Sequence, residues 1–238
     1  VETVVTSPSV VYKVQKKNGE EELIYTPSKF PDPGEIEKTF EPYVSLEVLT
    51  PSSYLSGIMS LLKGIRGEYK ETENLGRELL LVRYEAPLAE IITDFYDKLK
   101  SISRGYASFD YNFIDFRSGN LKKLDILIHG EPVDALSTIC HAENAYSRGV
   151  ALCSKLKELI PRQMFEVAIQ ASLGNRIISR ATVKSIKKNV TAKCYGGDIT
   201  RKRKLWEKQK KGKKRMKMIG KVEVPQEALL AVLQISDD

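Results

Sequence analysis

The sequence has little of what catalytic, membrane-spanning and secreted proteins usually contain. Its 238 residues include two histidines, three cysteines and one tryptophan. No run approaches the roughly 18 apolar residues of a membrane-spanning helix, and the N-terminus lacks the features of a signal peptide. The cysteines Cys140, Cys153 and Cys194 form no CxxC pair, which argues against a disulfide framework and favours a reducing compartment.

Motifs for catalysis, phosphate binding and metal binding are also missing. His129 and His141 are the candidate general bases, and neither lies in a Ser/His/Asp or Cys/His setting. The sequence contains no GxxxxGK[ST] loop and no GxGxxG after a strand. Cys140, His141 and Cys153 lack a fourth metal ligand, so ordinary packing is favoured over a metal site. We predict no catalytic residue, metal site or cofactor in this segment, which begins at Val1 without Met and is predicted to be a fragment.

Positive charge is concentrated in one part of the chain. Residues 176–221 contain 18 Lys or Arg and two carboxylates, Asp198 and Glu207. The other residues carry 20 basic and 29 acidic side chains, so a polycationic segment is attached to an acidic body. Solubility does not require such a concentration, and the pattern favours a polyanionic partner.

The hydrophobic periodicity predicts an α+β fold in three parts. Residues 1–38 are predicted as a β hairpin around Asn18-Gly19 and a proline-rich linker. Residues 39–128 follow the order strand, helix, strand, strand, helix, strand, which is the ferredoxin-like βαββαβ arrangement. Residues 129–238 are predicted as a mixed α/β domain with a polybasic segment and a short final helix from Ala228 to Ile235. Before the polybasic segment, helices are predicted over residues 55–62, 88–100 and 137–160.

Three aromatic residues share one face of the last predicted ferredoxin-like strand, namely Phe109, Tyr111 and Phe113. Such a row could stack on bases, as in RNA-recognition sheets. Because no basic RNP-type motif accompanies it, we favour the alternative that helices bury this face.

The polybasic segment is the strongest local signal. Its predicted RNA-binding residues are Lys193, Tyr195, Arg201, Lys202, Arg203, Lys204, Lys208, Lys210, Lys211, Lys213, Lys214, Arg215 and Lys217. Gly196 and Gly197 permit a backbone turn, and Asp198 can cap the helix that follows. On a helix these cations cover every face, whereas a membrane-surface helix needs an apolar stripe. Insertion into a crevice walled by phosphate is therefore favoured over a solvated, disordered tail.

Four motifs resemble, in order, the C-terminal domain of the LepA (elongation factor 4) family of translational GTPases. They are residues 160–163 (IPRQ), 193–199 (KCYGGDI), 212–217 (GKKRMK) and 224–228 (VPQEA). Upstream, residues 101–111 resemble part of an elongation-factor-G-like domain V, and residues 10–12 resemble the end of domain III. The resemblance covers essentially the whole chain, and Leu229, where many relatives carry an aromatic residue, is a minor departure.

The resemblance implies a ribosome-dependent GTPase that acts on tRNA position, with GTP and Mg²⁺ held in domains absent from this segment. It assigns residues 1–38 to the end of domain III, 39–128 to domain V and 129–238 to the C-terminal domain. Domain V would lie near the stalk base of the large subunit. The C-terminal domain would reach the peptidyl-transferase centre and the tRNA acceptor stem, with residues 193–217 as the RNA-contacting segment of a cytoplasmic monomer.

Two other functions remain open at this stage. The Lys/Arg cluster could bind anionic lipid as a peripheral module on the cytoplasmic face of the inner membrane. The chain could instead be a stand-alone RNA-binding protein, and its source could be bacterial or organellar. Liposome binding that persists at high salt would favour the membrane function, because an apolar anchor is insensitive to screening.

Overall fold

The computed structural model of this chain describes residues 10–76, 78–186, 189–191, 199–219, 222, 224–225 and 227–228, without the side chains of 218 and 219. The chain divides into two compact units, Val1–Lys122 and Lys123–Asp238, called here unit 1 and unit 2. The assignment of residues 1–38, 39–128 and 129–238 to three family domains stays a prediction.

Unit 1 alternates strands with short helices. In chain order its elements are β1 (Tyr12–Lys16), β2 (Glu21–Ile24), β3 (Ile36–Pro51), α1 (Leu55–Lys63), β4 (Glu68–Asn74), β5 (Leu79–Pro87), α2 (Leu88–Ile91), α3 (Phe95–Ile102) and β6 (Ser108–Ser118). The sheet order is β2-β1-β3-β5-β4, and β6 pairs with β3. The order β6-β3-β5-β4 is the 4-1-3-2 order of a ferredoxin-like sheet, so the predicted fold class is confirmed.

The N-terminal hairpin belongs to the same sheet because β3 is long enough to pair twice. β1 pairs antiparallel with the start of β3, and β5 pairs with its end. The hairpin turns at Gly19, whose φ of 85° is favourable only for a residue without a Cβ. The short hairpin therefore gains the neighbouring strand that a two-stranded ribbon lacks.

The core of unit 1 follows the strand alternation expected from the sequence. Val44, Leu46 and Val48 of β3 are fully buried and point to the same side of the sheet. The two helices α1 and α3 cover them, contributing among others the fully buried Ile58 and Leu99.

The predicted helix over residues 88–100 is interrupted in the structure. α2 ends at Ile91 and α3 begins at Phe95, with turn conformation at residues 92–94. Thr93 and Asp94 favour this break, because their short polar side chains compete with helical hydrogen bonding.

The aromatic face of β6 is only half covered, which corrects our expectation of a buried row. Phe109 packs against the core and makes an edge contact with Phe95, at a centroid distance of 5.2 Å. Tyr111 and Phe113 face the same side, opposite Leu46 and Val44, but are 41 % and 58 % exposed. α3 is eight residues long, which is too short to cover the whole 11-residue strand.

A partly buried charge network connects strand β3 with the helix side of unit 1. The Arg66 guanidinium donates two hydrogen bonds to Glu41, at 2.7 and 2.9 Å, and a third to Glu90. The backbone N–H of Arg66 also donates to Glu90, at 2.6 Å. Burial alone would lower the pKa of Arg66, but its two carboxylate partners outweigh burial and raise that pKa. The arginine therefore stays charged while Glu41 is 2 % exposed.

A second ion-pair network gives a prediction about pH. Burial would raise the pKa of Glu85, but Arg117 at 2.7 Å and Lys70 at 3.2 Å outweigh burial and lower it. The group therefore adds to the free energy of unfolding above the pKa of the unfolded chain, and this gain is lost as pH falls through the lower folded-state pKa. NMR titration should place the Glu85 midpoint below the ordinary glutamate value, and Arg117→Gln should move it upward. A midpoint that Arg117→Gln leaves unchanged would contradict this assignment.

Unit 2 combines an antiparallel sheet with two longer helices. Its elements are β7 (Leu121–Ile128), β8 (Glu131–Pro132), β9 (Thr138–His141), α4 (Ala145–Leu159), β10 (Val167–Leu173), β11 (Arg176–Val183) and α5 (Ile199–Ile219). The sheet order is β11-β10-β7-β8, and β9 pairs with β7. The core includes Ile126 of β7, Leu152 of α4 and Ile169 of β10.

The predicted helix over residues 137–160 begins eight residues late. Residues 138–141 form strand β9 instead, in which Ile139 and Cys140 are both buried and Cys140 belongs to the unit 2 core. The β-branched Thr138 and Ile139 favour an extended backbone. Gly149 then lets α4 lie close to the sheet, because a Cβ there would come within 3.1 Å of Ala171 Cβ.

Candidate nucleic-acid interface

Helix α5 carries most of the predicted RNA-binding residues. It spans 21 residues and contains eleven Lys or Arg and one carboxylate, Glu207. At 1.5 Å per residue it is about 32 Å long. Cations three or four residues apart on a helix repel each other. A helix with this composition is therefore only weakly stable unless anionic groups compensate its positive charge.

One side of α5 is half-buried, so the cations that cover every face of this helix are not equally exposed. We call this side the inner stripe, and it comprises Lys202, Leu205, Gln209, Gly212 and Lys213. The spacings of three, four, three and one residues keep these positions on one face of a helix. The helix therefore has an inner and an outer side.

Three hydrogen-bonding contacts attach the C-terminal half of α5 to the rest of unit 2. Lys213 Nζ donates to Ser185 Oγ at 2.9 Å and to the Ile186 carbonyl oxygen at 3.1 Å. The His129 Nε2 lies 2.6 Å from the carbonyl oxygen of Lys217, in the last turns of the helix. Lys213, predicted to bind RNA, thus has partners within the chain.

The exposed cations occupy the remaining faces of α5. They are Arg201, Arg203, Lys204, Lys208, Lys210, Lys211, Lys214, Arg215 and Lys217. At about 100° per residue, the side opposite the inner stripe contains Arg203, Lys204, Lys211 and Lys214, with the exposed carboxylate of Glu207 between them. We call these four residues the outer quartet. An outer side of this kind attracts phosphate groups through charge alone.

Apolar side chains on the exposed part of α5 are few. Ile199 is 77 % exposed at the start of the helix, Trp206 is 55 % exposed and Met216 is 49 % exposed. These three positions, seven and ten residues apart, do not form the continuous apolar stripe of an interfacial membrane helix. In the part of the chain that the structure describes, none of the helices is both long and apolar enough to span a membrane.

Several predicted residues lie outside the described ranges. They are Lys193, Tyr195, the turn and cap residues Gly196, Gly197 and Asp198, and most of the predicted final helix from Ala228 to Ile235. Their roles stay predictions. Ala228 itself is described and fully buried in the unit 2 core, where the partly buried Val222 and Val224 also pack.

The histidines and cysteines do not assemble into a chemical site among the described residues. Cys140 and Cys153 are buried in the unit 2 core, and burial raises the pKa of the Cys153 thiol. His141 faces the carboxylate of Glu143 at 3.7 Å. Across the described ranges, no three His, Cys, Asp or Glu side chains are grouped as metal ligands.

Sequence reasoning missed the role of His129. The sequence offers this histidine as a candidate general base, whereas the structure brings it to the end of α5, 88 residues away in sequence. The signal that points to a special position is the dipeptide His129-Gly130 directly after the apolar residues 126–128, which is compatible with a tight hairpin turn.

Two family models match the chain in adjacent segments. The model described as "Elongation factor G C-terminus" matches residues 38–127. The model described as "GTP-binding protein LepA C-terminus" matches residues 128–234. The second segment includes all of α5, so the polybasic helix lies within the match to the LepA C-terminus.

Curated relatives named "Elongation factor 4" match the chain from end to end. The relative from Chlorobium phaeobacteroides (strain BS1) is 56 % identical over 237 residues, which is 100 % of this chain and 39 % of that protein. The relative from Bacillus cytotoxicus is 53 % identical over 238 residues, again 100 % of this chain and 39 % of the relative.

The chain thus spans about two fifths of the length of these relatives. One solved structure, from Thermus thermophilus, is 28 % identical over 34 % of this chain and 12 % of that chain, with a TM-score of 0.32 that carries no argument about fold. Family membership rests on the end-to-end identity and on the two adjacent family matches. The chain belongs to the elongation factor 4 (LepA) family and corresponds to the C-terminal part of its members.

Proposed function

We propose that this chain is the ribosome-binding C-terminal part of a translation factor and that α5 is its RNA-binding element. The observation that carries the proposal is helix α5 itself, where nine exposed cations, the outer quartet among them, are distributed along 21 residues. The end-to-end similarity to proteins named elongation factor 4 supports the translational context.

RNA fits α5 better than a lipid surface does. A membrane-surface helix contributes buried apolar area in addition to charge, and the exposed Ile199, Trp206 and Met216 are too far apart along α5 to form a continuous apolar stripe. A polyphosphate backbone needs only cations at a suitable spacing. The exposed Trp206 could in addition stack on an unpaired base.

The more specific partners belong to the same proposal. We place unit 1 near the stalk base of the large subunit and α5 near the peptidyl-transferase centre and the tRNA acceptor stem. In the longer protein, a GTPase domain outside this chain would bind GTP and Mg²⁺ and hydrolyse GTP in the cytoplasm. The segment of residues 193–198 would extend the RNA contact towards the N-terminus of α5.

A salt series with RNA and with vesicles tests this proposal. The 238-residue chain is titrated with a fluorescent RNA hairpin, and in parallel with phosphatidylglycerol vesicles, from 50 to 500 mM KCl. RNA contact by four or more cations predicts a slope of log K against log salt of about −3 or steeper. Vesicle binding that survives 500 mM KCl, together with weak RNA binding at 50 mM, would overturn the proposal in favour of the membrane function.

A further inference from the structure

The turn that carries His129 has an unusual backbone. His129 follows β7 and precedes β8, and Ile128 pairs with Glu131, so His129 and Gly130 form a two-residue hairpin loop. Both residues have positive φ, 60° and 91°. Positive φ at both central positions is the pattern of a type I′ turn, in which Asn-Gly is the favoured sequence. A histidine at the first position is compatible with the backbone but is not the optimal choice for it.

The His129 side chain is held in one orientation. Its ring packs against the buried Phe165, at a centroid distance of 5.2 Å. Its Nδ1 is buried and has no hydrogen-bond partner among the described residues. Its Nε2 lies 2.6 Å from the Lys217 carbonyl oxygen. Because a carbonyl oxygen can only accept a hydrogen bond, Nε2 must carry the proton.

The acceptor is one of the carbonyl groups that a helix cannot satisfy by itself. α5 ends at Ile219, and the last four carbonyl groups of a helix lack intrahelical partners. A donor at this end also interacts favourably with the helix dipole. His129 therefore satisfies the end of α5 and fixes its last turns to the β7–β8 hairpin, while Lys213 anchors the preceding turn to Ser185.

We propose that His129 is a positioning residue that holds α5 with its inner stripe against unit 2 and its outer quartet towards RNA. This inference rests on the proposed function, because it concerns the same helix. Its physical effect is preorganisation: a helix already fixed in the binding orientation loses less conformational entropy when it binds. His129 contributes to affinity in this way without contacting phosphate.

Two substitutions separate the side-chain contact from the turn. His129→Asn gives the favoured type I′ sequence Asn-Gly, but the shorter side chain has no donor at the Nε2 position. His129→Gln restores an amide N–H near that position. Each variant is compared with the unchanged 238-residue chain by amide hydrogen exchange of residues 206–217 without RNA and by the RNA salt series.

For His129→Asn we expect faster amide exchange in α5 and RNA affinity lower by about three- to tenfold, the equivalent of one hydrogen bond. The line of log K against log salt should stay parallel to that of the unchanged chain, because no phosphate contact is removed. His129→Gln should recover both properties. The free energy of unfolding of unit 2 is measured for both variants, and RNA affinity is compared under conditions in which unit 2 is folded in each, so lost affinity cannot be attributed to lost folding.

Three results would overturn the inference: unchanged exchange in His129→Asn, a reduced salt slope, or no recovery in His129→Gln. The exchange measurement is made without RNA, so it tests the contact between His129 and α5 independently of the proposed function. If the unchanged chain binds no RNA at all, the proposed function fails. In that case faster exchange in His129→Asn still demonstrates the positioning contact, and unchanged exchange rejects it.

Discussion

Replacing the outer quartet, Arg203, Lys204, Lys211 and Lys214, with glutamine is expected to lower RNA affinity about a thousandfold at 0.1 M salt. Each phosphate contact contributes about 0.7 to 0.9 to the slope of log K against log salt. Four contacts together give a factor of about 10³ between 0.1 M and 1 M salt. Glutamine keeps an unbranched polar side chain and a similar helix propensity, so the charge is the main property that changes.

A matched variant controls for net charge. Lys17, Lys29, Lys38 and Lys63 are exposed lysines of unit 1, and their replacement with glutamine also removes four charges. We expect this control to lower affinity less than threefold and to leave the salt slope unchanged. Equal losses in the quartet and control variants would mean that net charge, and not the outer side of α5, determines binding.

The second large effect concerns stability. Arg66→Ala should lower the free energy of unfolding of unit 1 by about 3 to 5 kcal/mol, because Glu41 would stay buried without its partner. Trp206, the one tryptophan of the chain, lies in α5 of unit 2. Tryptophan fluorescence therefore follows unit 2, and hydrogen exchange of unit 1 peptides under increasing urea is the suitable measurement.

Two further variants identify the cause of this loss. Arg83→Ala removes an arginine that is paired with Glu47, Glu71 and Glu73 at the surface, and exposed pairs contribute little to the free energy of unfolding because water and salt screen them. The triple variant Glu41→Leu, Arg66→Met and Glu90→Leu removes the whole network and should recover most of the stability. If Arg66→Ala were as mild as Arg83→Ala, the network would not be a stabilising element of the fold.

Much of the fold could be predicted because local signals and tertiary structure agree. In the sequence, Val44, Leu46 and Val48 alternate with other residues, and Ile58 and Leu62 lie four residues apart; both sets are buried in the structure. The predictions were wrong where a few residues decide between helix and strand, or between helix and turn. Thr138 and Ile139 belong to a short strand of the sheet, and hydrophobic periodicity over a longer stretch does not detect a strand of four residues. Thr93 and Asp94 interrupt a helix although the helical spacing of apolar residues continues beyond them.

The candidate site shows the same division between local and distant information. The dense cations of α5 were visible in the sequence, since charge density is a property of a short segment. Which side of α5 faces outward was not visible. That property depends on Lys213 meeting Ser185 and on His129 meeting Lys217, contacts between residues 28 and 88 positions apart. The half-covered aromatic row of β6 likewise depends on the length of a helix elsewhere in the chain.

Co-sedimentation with 70S ribosomes across a salt series tests the central claim most directly. The unchanged chain is compared with the outer-quartet glutamine variant. A charge variant is preferable to a truncation before α5, because truncation would also remove the buried core residue Ala228. We expect binding that weakens steeply with salt and is lost in the quartet variant. Equal binding by the two proteins, with equal salt dependence, would contradict the assignment of RNA binding to α5.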